Sequence, residues 1–532
     1  MIKLKIDHRE VEVEPGTTVL GAARKLGIDV PTLCFMEGLP ASTSCQVCSV
    51  KLRPSGRVVP SCGTVASEGM EIESETEEVH HLRRTALELL LSDHVGDCYA
   101  PCDFACPAHM DVPLMLRQIK QQELHEAIVT VKRDIGIPAI LGRVCPKPCE
   151  KGCRRGGADG PVAICQLKRF AADVDLASGK PYVPACDPPT HKRVAVIGAG
   201  PTGLCAAFYL AQRGHECTLF DDQRELGGRL RHECSPDELP RDILEAEIAA
   251  LLSVGIAVRS GTRVGDGLSF AGLRSQFDAV LIACGATAKD DASAWGIAVG
   301  PRGVQVSKET YATNVDGVFA AGNAIRLKGM VVRSAADGRE SAHAIHQYLS
   351  GYFVSGPVKR FSSRIGRVDA GELPEFMACA GSTPLAEPSS DTVGYNAEEA
   401  IAQADRCMHC DCRALESCTL RYYSEKYGAD PGRYPSTRRP FQQILQPSNV
   451  IFEPGKCINC GLCIAIVERA GEPLGLSFIG RGFDVRVGVP FGRTFDEALG
   501  KVAAECVTAC PTAALSFRET LDPKHLPILP PR

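Results

Sequence analysis

The stretch RVAVIGAGPTGLCAAFYLAQRGHECTLFDD, Arg193 to Asp222, decides how the chain is read. It opens with an apolar run of strand length, Val194 to Ile197. Gly198, Gly200 and Gly203 follow in the spacing G-x-G-x-x-G. The pattern predicts a helix from about Thr202 to Arg213 and a second strand, Cys217 to Phe220, ending at Asp221. In such a unit the glycines allow a tight turn, a close approach of backbone to a pyrophosphate, and close packing of helix on strand. The helix start, with Pro201 and Thr202 in its first turn, offers free N–H groups and a positive dipole end to that phosphate. Asp221 is placed to accept hydrogen bonds from a ribose 2′-OH. Three glycines alone would say little; with a strand before, a helix after and an acid in place, they read as a dinucleotide site.

The rest of the composition narrows the class. At 532 residues the chain is long enough for three or more domains. Its net charge is −5 with both signs interspersed, which argues against a nucleic-acid partner. No apolar run approaches the length of a transmembrane helix. The opening MIKLKIDHREVEVE alternates like a strand and does not read as a signal peptide. The anomaly is cysteine, at 26 residues. Without an export signal, spaced cysteines favour metal or redox sites over disulfides, and a cytoplasmic location is expected.

Residues 1–78 show two alternating strands, Lys3–Ile6 and Glu10–Val13, then a helix Val19–Leu26 and the cysteines Cys34, Cys45, Cys48 and Cys62. Their gaps of ten, two and thirteen residues lengthen the first interval of the plant-type C-x4-C-x2-C ferredoxin pattern. This version resembles the N-terminal 2Fe–2S domain of the complex I G-type subunit and its relatives in NADH-linked hydrogenases and formate dehydrogenases, and implies a β-grasp fold. Zinc on four thiolates is the alternative.

Residues 79–186 read as a helical domain. A helix Glu77–Leu91 leads into His94, Cys98, Cys102 and Cys106; a helical segment Val112–Val131 follows, then Cys145, Cys149, Cys153 and Cys165. Together with the glycine-turn segment, this stretch resembles the glutamate synthase small subunit, whose fold recurs in dihydropyrimidine dehydrogenase. The resemblance implies two 4Fe–4S clusters with interleaved ligands, one on Cys98, Cys102 and Cys153, the other on Cys106, Cys145 and Cys149. The family often has Glu or Gln where this chain has Lys168. A protonated ammonium has no lone pair to give, so Cys165, three residues earlier, is the natural substitute. The stretch LELLLSDHVGDC also resembles the His-bearing cluster site of the G-type subunit, which makes His94 a fourth ligand for Cys98's cluster; a solvated loop histidine is the alternative.

Residues 187–355 are expected to form an FAD-binding, Rossmann-like domain. By the same resemblance, Gly227, Gly228 and Arg229 of RELGGRL lie against the flavin. FDAVLIACGA, Phe277 to Ala286, reads as a buried strand entering a turn at Gly285. VDGVFAAGNAI resembles the family's closing motif, with Gly322 followed by Asn323 where an acid usually bonds the ribityl chain; an amide still bonds a hydroxyl. A helix Ser334–Leu349 closes the domain. The family inserts a second, NAD(P)H-binding domain between the last two motifs. Here Gly285 and Gly317 are 32 positions apart, room for about one βαβ unit, and no second G-x-G-x-x-G occurs.

Residues 356–450 read as a Gly-, Pro- and Ser-rich linker, a helix Ala397–Arg406, and a metal motif, Cys407, Cys410, Cys412 and Cys418 in RCMHCDCRALESC. A 4Fe–4S cluster is expected there, with zinc as the alternative. Residues 451–532 carry Cys457, Cys460, Cys463 and the remote Cys510-Pro511, a bacterial ferredoxin half-set for one 4Fe–4S cluster. Val467, Gly500 and Ala503 stand where a second set would need cysteines. Leu476 to Gly492 resembles the loop between cluster motifs in the G-type subunit. The tail after Leu521 is proline-rich and is expected to be a surface arm.

The expected fold class is therefore multidomain α/β and α+β. The expected cofactors are FAD, one 2Fe–2S cluster and three to four 4Fe–4S clusters. The chain reads as an electron-transfer subunit of a larger, NADH-linked oxidoreductase, with the nucleotide oxidised on a partner resembling the FMN-bearing complex I F-type subunit. Two alternatives stand beside it: a self-contained FAD oxidoreductase acting on a small substrate, and a scaffold with a degenerate flavin site. No residue pattern suggests an acid–base or nucleophilic catalytic set.

Overall fold

The computed structural model describes residues 1–518 except 358, 391–392 and 435–436; the side chains of 287, 288 and 483 also lie outside it. The tail after Leu521 falls outside the described residues. The chain forms two compact units that do not follow its linear order. One comprises residues 1–99, 360–378 and 410 onward; the other comprises residues 100–359 and 379–409. The stretch 79–186, expected as one domain, is thus divided at Tyr99, and the cysteine-rich motif of 407–418 is divided after His409.

The first unit begins with a five-stranded sheet. Strands Ile2–Ile6 and Arg9–Val13 form an antiparallel pair in which Leu4, Ile6, Val11 and Val13 point inward by simple alternation. Strands Ser49–Leu52, Val58–Pro60 and Glu71–Glu73 complete the sheet, the last pairing parallel to the first strand. Helix Val19–Lys25, capped by the Thr18 hydroxyl, lays Val19, Leu20, Ala22 and Ala23 on this sheet. Helix Glu77–Ser92, capped by Thr76, packs Leu87 and Leu91 into a second core with Leu33, Cys34, Val450, Phe452 and Ile466. That core joins the two ends of the chain. Its far side is the antiparallel sheet of Ile444–Leu445, Val450–Phe452 and Leu515–Phe517.

The second unit is built on a parallel five-stranded sheet. In spatial order its strands are Val318–Ala320, Ala279–Ile282, Arg193–Ile197, Glu216–Phe220 and Ala257–Arg259. Helices cover both faces, which is why the central strands read as unbroken apolar runs. Helices Pro201–Gln212 and Val331–Leu349 cross in tight contact at Gly338, where a Cβ would lie 2.4 Å from the Thr202 carbonyl oxygen. The segment expected as one helix from Val112 to Val131 is two, Val112–Lys120 and Leu124–Asp134, because Gln122 takes the left-handed φ of 61° that ends the first. Between Ile282 and Val318 the described residues form the helix Ala288–Ala294 and a hairpin of Val299–Gly300 with Gly303–Val304. With a single 3-10 turn, Gly285–Thr287, these elements stand where the resembled family carries its NAD(P)H domain.

Helix Pro138–Val144, which ends at Cys145, is tied to helix Arg241–Leu252 by a buried carboxylate. Helix Pro138–Val144 has no side-chain cap of its own. Glu247, 2% exposed on helix Arg241–Leu252, accepts the N–H groups of Ala139 and Ile140 at 2.7 Å each. It therefore caps that helix from outside. Glu247→Ala leaves two buried N–H groups unpaired and is expected to destabilise the second unit by about 2–4 kcal/mol. Denaturant unfolding followed by the fluorescence of Trp295, the one tryptophan of the chain, measures this directly.

Candidate functional site

The glycine turn opens on a cavity of about 430 Å³ in the second unit. Gly198, Gly200, Pro201 and Thr202 line it, with Asp221, Gly228, Arg229, Gly285 and Asn323. Gly203 does not line it; a Cβ there would meet the Gly198 carbonyl oxygen at 1.8 Å, so it serves the packing of helix on strand. Gly198 has φ 103° and touches the Ala283 backbone, so the turn itself requires glycine. Gly200 is different. Its φ is −78°, which any residue adopts, and a Cβ there would meet nothing within 4 Å. Neither conformation nor protein packing calls for glycine at 200; the space it keeps clear belongs to the cavity.

Two helices direct their first turns into that space. Pro201–Gln212 and Val331–Leu349 both lack a side-chain cap, and Val331 and Ser334 line the cavity. Uncapped N–H groups from two helix starts suit an anion. Asn323 Oδ1 is buried without a hydrogen-bond partner, the state of a group whose partner is a ligand. Gly227 lies just outside the lining, donating its N–H to Ala199, and Gly322, with φ 67°, sits over the Thr202 side chain. Asp221 is more engaged than its position suggested. Its two oxygens accept the N–H groups of Ala199 at 2.6 Å and Gln223 at 2.9 Å, so it braces the turn while still facing the cavity. Trp295, stacked on Phe270, and the Arg263–Asp291 pair also line the space. No spacing signals them: Asp291 and Trp295 come from the short insertion between Ile282 and Val318, and Arg263 from the loop after strand Ala257–Arg259. The donor set fits a dinucleotide.

The thiols gather in distinct neighbourhoods, and all the cysteines are free of disulfides. In the first unit Cys34, Cys45, Cys48 and Cys62 are buried together, with Cys48 Sγ and Cys62 Sγ 3.4 Å apart. Cys457, Cys460, Cys463 and Cys510 form a second group, in which burial first and the neighbouring sulfurs after it raise the pKa of Cys457, Cys460 and Cys463. A third group combines distant segments: Cys412 donates its N–H to the Cys98 carbonyl at 3.1 Å, and Cys418 faces both sulfurs. Cys410 belongs to the same unit. Beside this group His94 keeps its Nδ1 buried without a hydrogen-bond partner, and burial followed by the Lys456 ammonium depresses its pKa. Lys456 also faces Cys412.

In the second unit Cys106, Cys145, Cys149 and Cys165 surround the buried Lys168. Gly142 makes this possible: a Cβ there would lie 2.6 Å from Arg169 Cβ, so helix Pro138–Val144 crosses Ile164–Ala177 at close range. That crossing sets Cys145, at the end of one helix, against Cys165, at the start of the other. The Cys165 thiol bonds the Cys145 sulfur and pulls the Cys145 thiol down to about 7, while burial pushes Cys149 up to about 12. Cys407 lies in the core of this unit, and the half-buried Cys102 and Cys153 pack against that core. Arg155 reaches back to the Arg406 carbonyl, next to Cys407, while Arg406 bonds Asp159, so the loop after Cys153 is locked to the segment before Cys407.

Inside the first unit Cys98 lies with Cys412 and Cys418, while Cys102 and Cys153, which the family resemblance groups with it, belong to the second. The four cysteines of 407–418 do not form one group within either unit; Cys407 lies in the second and the others in the first. His409 lies against Arg117 at 3.3 Å. Among the described residues, no three His, Cys, Asp or Glu side chains converge as a single metal ion requires. Grouped thiols are donors to iron–sulfur clusters and to zinc alike.

Comparison with known proteins agrees with this inventory. Three family models match: a 2Fe-2S iron-sulfur cluster binding domain over residues 1–77, the dihydropyrimidine dehydrogenase domain II with its 4Fe-4S cluster over 77–180, and a pyridine nucleotide-disulphide oxidoreductase over 169–343. The beta subunit of an NADP(+)-dependent formate dehydrogenase of Moorella thermoacetica is 38% identical over 207 residues, covering 35% of this chain and 29% of its own. The beta subunit of an NADPH-Fe(3+) oxidoreductase of Geobacter sulfurreducens is 38% identical over 189 residues, covering 35% and 28%. A homologue of the NAD-dependent dihydropyrimidine dehydrogenase subunit PreT of Salmonella typhi is 36% identical over 195 residues, covering 36% and 47%. The chain thus spans less than half the length of each of these relatives.

Gly200→Val is expected to fold, since nothing opposes the side chain, and to be purified with its iron but without its dinucleotide. Gly203→Val, which meets a carbonyl oxygen, is expected to lower stability instead. Absorbance spectra and iron assays of both variants separate the two roles. The chain thus carries matches to two iron–sulfur cluster domains and to a pyridine nucleotide-disulphide oxidoreductase domain.

Proposed function

We propose that the chain is an electron-transfer subunit of a multisubunit oxidoreductase, in which iron–sulfur clusters and an FAD relay electrons supplied by a partner. The observation that carries this reading is the region between Ile282 and Val318. A nicotinamide must lie against the flavin with its own pyrophosphate held, and that holding takes a second glycine turn and helix start. The described residues offer a short helix and a hairpin instead. The matched relatives are named as subunits, and two of them as NADP(+)- or NADPH-linked. No helix among the described residues is long and apolar enough to cross a membrane, which suits a subunit working in the cytoplasm.

The cluster assignments follow the thiol neighbourhoods. A β-grasp 2Fe–2S domain uses Cys34, Cys45, Cys48 and Cys62. A ferredoxin-like 4Fe–4S domain uses Cys457, Cys460, Cys463 and Cys510. His94 with Cys98, Cys412 and Cys418 holds another 4Fe–4S cluster, which gives the unpartnered imidazole nitrogen its role. Cys106, Cys145, Cys149 and Cys165 hold a fourth cluster, and Cys102, Cys153 and Cys407 contribute to a fifth. Within the first unit these sites adjoin: Cys34 faces Cys460, and Cys418 Sγ lies 3.6 Å from the Pro511 carbonyl beside Cys510. FAD, held in a Rossmann-like domain by Gly198, Gly200, Asn323 and the two helix starts, supplies conversion between one- and two-electron steps. The protein's share is to bury these groups, hold them close and set their potentials through ligand type and local charge.

Two experiments test the reading. The purified chain mixed anaerobically with NADH or NADPH is expected to bleach only slowly, because an unheld nicotinamide loses the several kcal/mol that orientation contributes. Bleaching is expected to become fast once a co-purified flavoprotein is added. Fast bleaching without a partner would make the chain a self-contained dehydrogenase. Cys418→Ser and Cys98→Ser are expected to alter the same low-temperature EPR signal and Cys153→Ser a different one; a signal shared by Cys98 and Cys153 but not Cys418 would restore the family's ligand pattern.

A further inference from the structure

The least expected group near the thiols is Lys168. It is 4% exposed, on helix Ile164–Ala177, one turn beyond Cys165 and on the same face. The groups it faces, in order of influence, are the sulfurs of Cys165, Cys145, Cys149 and Cys106. Leu167 and Phe170, its neighbours on the helix, are buried in the surrounding core. A second charge is close: Glu150 accepts the Cys165 N–H at 2.8 Å and feels the Lys168 ammonium. The positive groups beyond it are engaged elsewhere, Arg143 and Arg169 both pairing with Asp173.

An ammonium this deep is costly unless negative charge compensates it. Four iron-bound thiolates carry that negative charge permanently, because the metal deprotonates them. The position therefore makes physical sense when the four sulfurs hold a cluster of net negative charge. The converse also holds. A fixed positive charge inside a low-dielectric pocket favours the cluster state with one more electron, and the effect is large because water does not screen it.

We propose that Lys168 is a positioning residue of a new kind in this chain: a buried cation that raises the reduction potential of the cluster held by Cys106, Cys145, Cys149 and Cys165, making that centre an electron sink in the relay. The proposal rests on the assignment of a cluster to these four thiols. The step it concerns is a one-electron reduction, with the electron coming from dithionite in the test; no bond or proton moves with it. Glu150, of opposite sign beside the same sulfur, opposes the lysine, so the pair sets the potential by their difference.

The test is an EPR-monitored redox titration of the whole purified chain. Lys168→Met is expected to lower the ratio of reduced to oxidised cluster at a fixed applied potential by at least tenfold, a shift of about 59 mV for one electron. Lys168→Arg, which keeps the charge, is expected to restore the wild-type ratio within a few-fold. Glu150→Gln is expected to move the ratio the other way, and it carries the test if Lys168→Met fails to retain its iron. The remaining cluster signals are expected to titrate unchanged in all three. A Lys168→Met cluster, or in its absence a Glu150→Gln cluster, that titrates within twofold of wild type would overturn the proposal. Failure of the underlying ligand assignment looks different: Cys165→Ser would then leave every cluster signal as it was.

Discussion

Burial of thiol groups is the constraint on which the rest of this structure depends. Nearly all of the cysteines assigned to clusters are buried or half-buried, yet none closes a disulfide, so their packing has to be satisfied another way. A cluster at each group, as proposed above, would satisfy it, and the fold brings the thiols together from far apart in sequence. The bond from Cys412 to the Cys98 carbonyl ties two segments separated by most of the chain. The core of Leu33, Leu87, Phe452 and Ile466 does the same for the two ends of the molecule. The crossing at Gly142 does it for Cys145 and Cys165. In each case ordinary apolar packing or a backbone contact sets the distance, and the sulfur chemistry uses it.

The dinucleotide cavity is built by the same economy of means. Two helices start at it without side-chain caps, one glycine leaves it open, and one asparagine faces it unpaired. Each of these is a small defect in a protein without a ligand. Together they describe the outline of one. The insertion between Ile282 and Val318 contributes Ala283, Cys284, Gly285, Asp291 and Trp295 to the lining.

What the sequence made legible was local. The glycine turn, its flanking strand and helix, and the alternation of the first hairpin all depend on residues a few positions apart, and each element lies where the pattern put it, within a residue or two. Cys106, Cys145 and Cys149 could also be drawn together, because a family pattern supplied the long-range pairing that spacing lacks, and Cys165 joined them because the ammonium of Lys168 has no lone pair to give. Three features were not legible. The break at Gln122 turns on a single left-handed residue inside an otherwise continuous amphipathic run. The engagement of Asp221 with Ala199 depends on the closeness of the turn to the neighbouring strand end. The division of the 407–418 motif between two units has no local sign at all: four cysteines within twelve residues look like one site, and only tertiary packing sends Cys412 and Cys418 to Cys98.

The central claim is that these thiol neighbourhoods are cluster sites and that one flavin serves them. Quantitative iron, sulfide and flavin analysis of anaerobically purified chain, with Mössbauer spectra to sort the iron, tests it most directly. The account predicts about 18 irons for each FAD, two of them in a 2Fe–2S cluster and the remainder in 4Fe–4S clusters. Iron confined to a single 2Fe–2S cluster, or zinc in place of iron at the sites that include Cys98, Cys412 and Cys418, would contradict it.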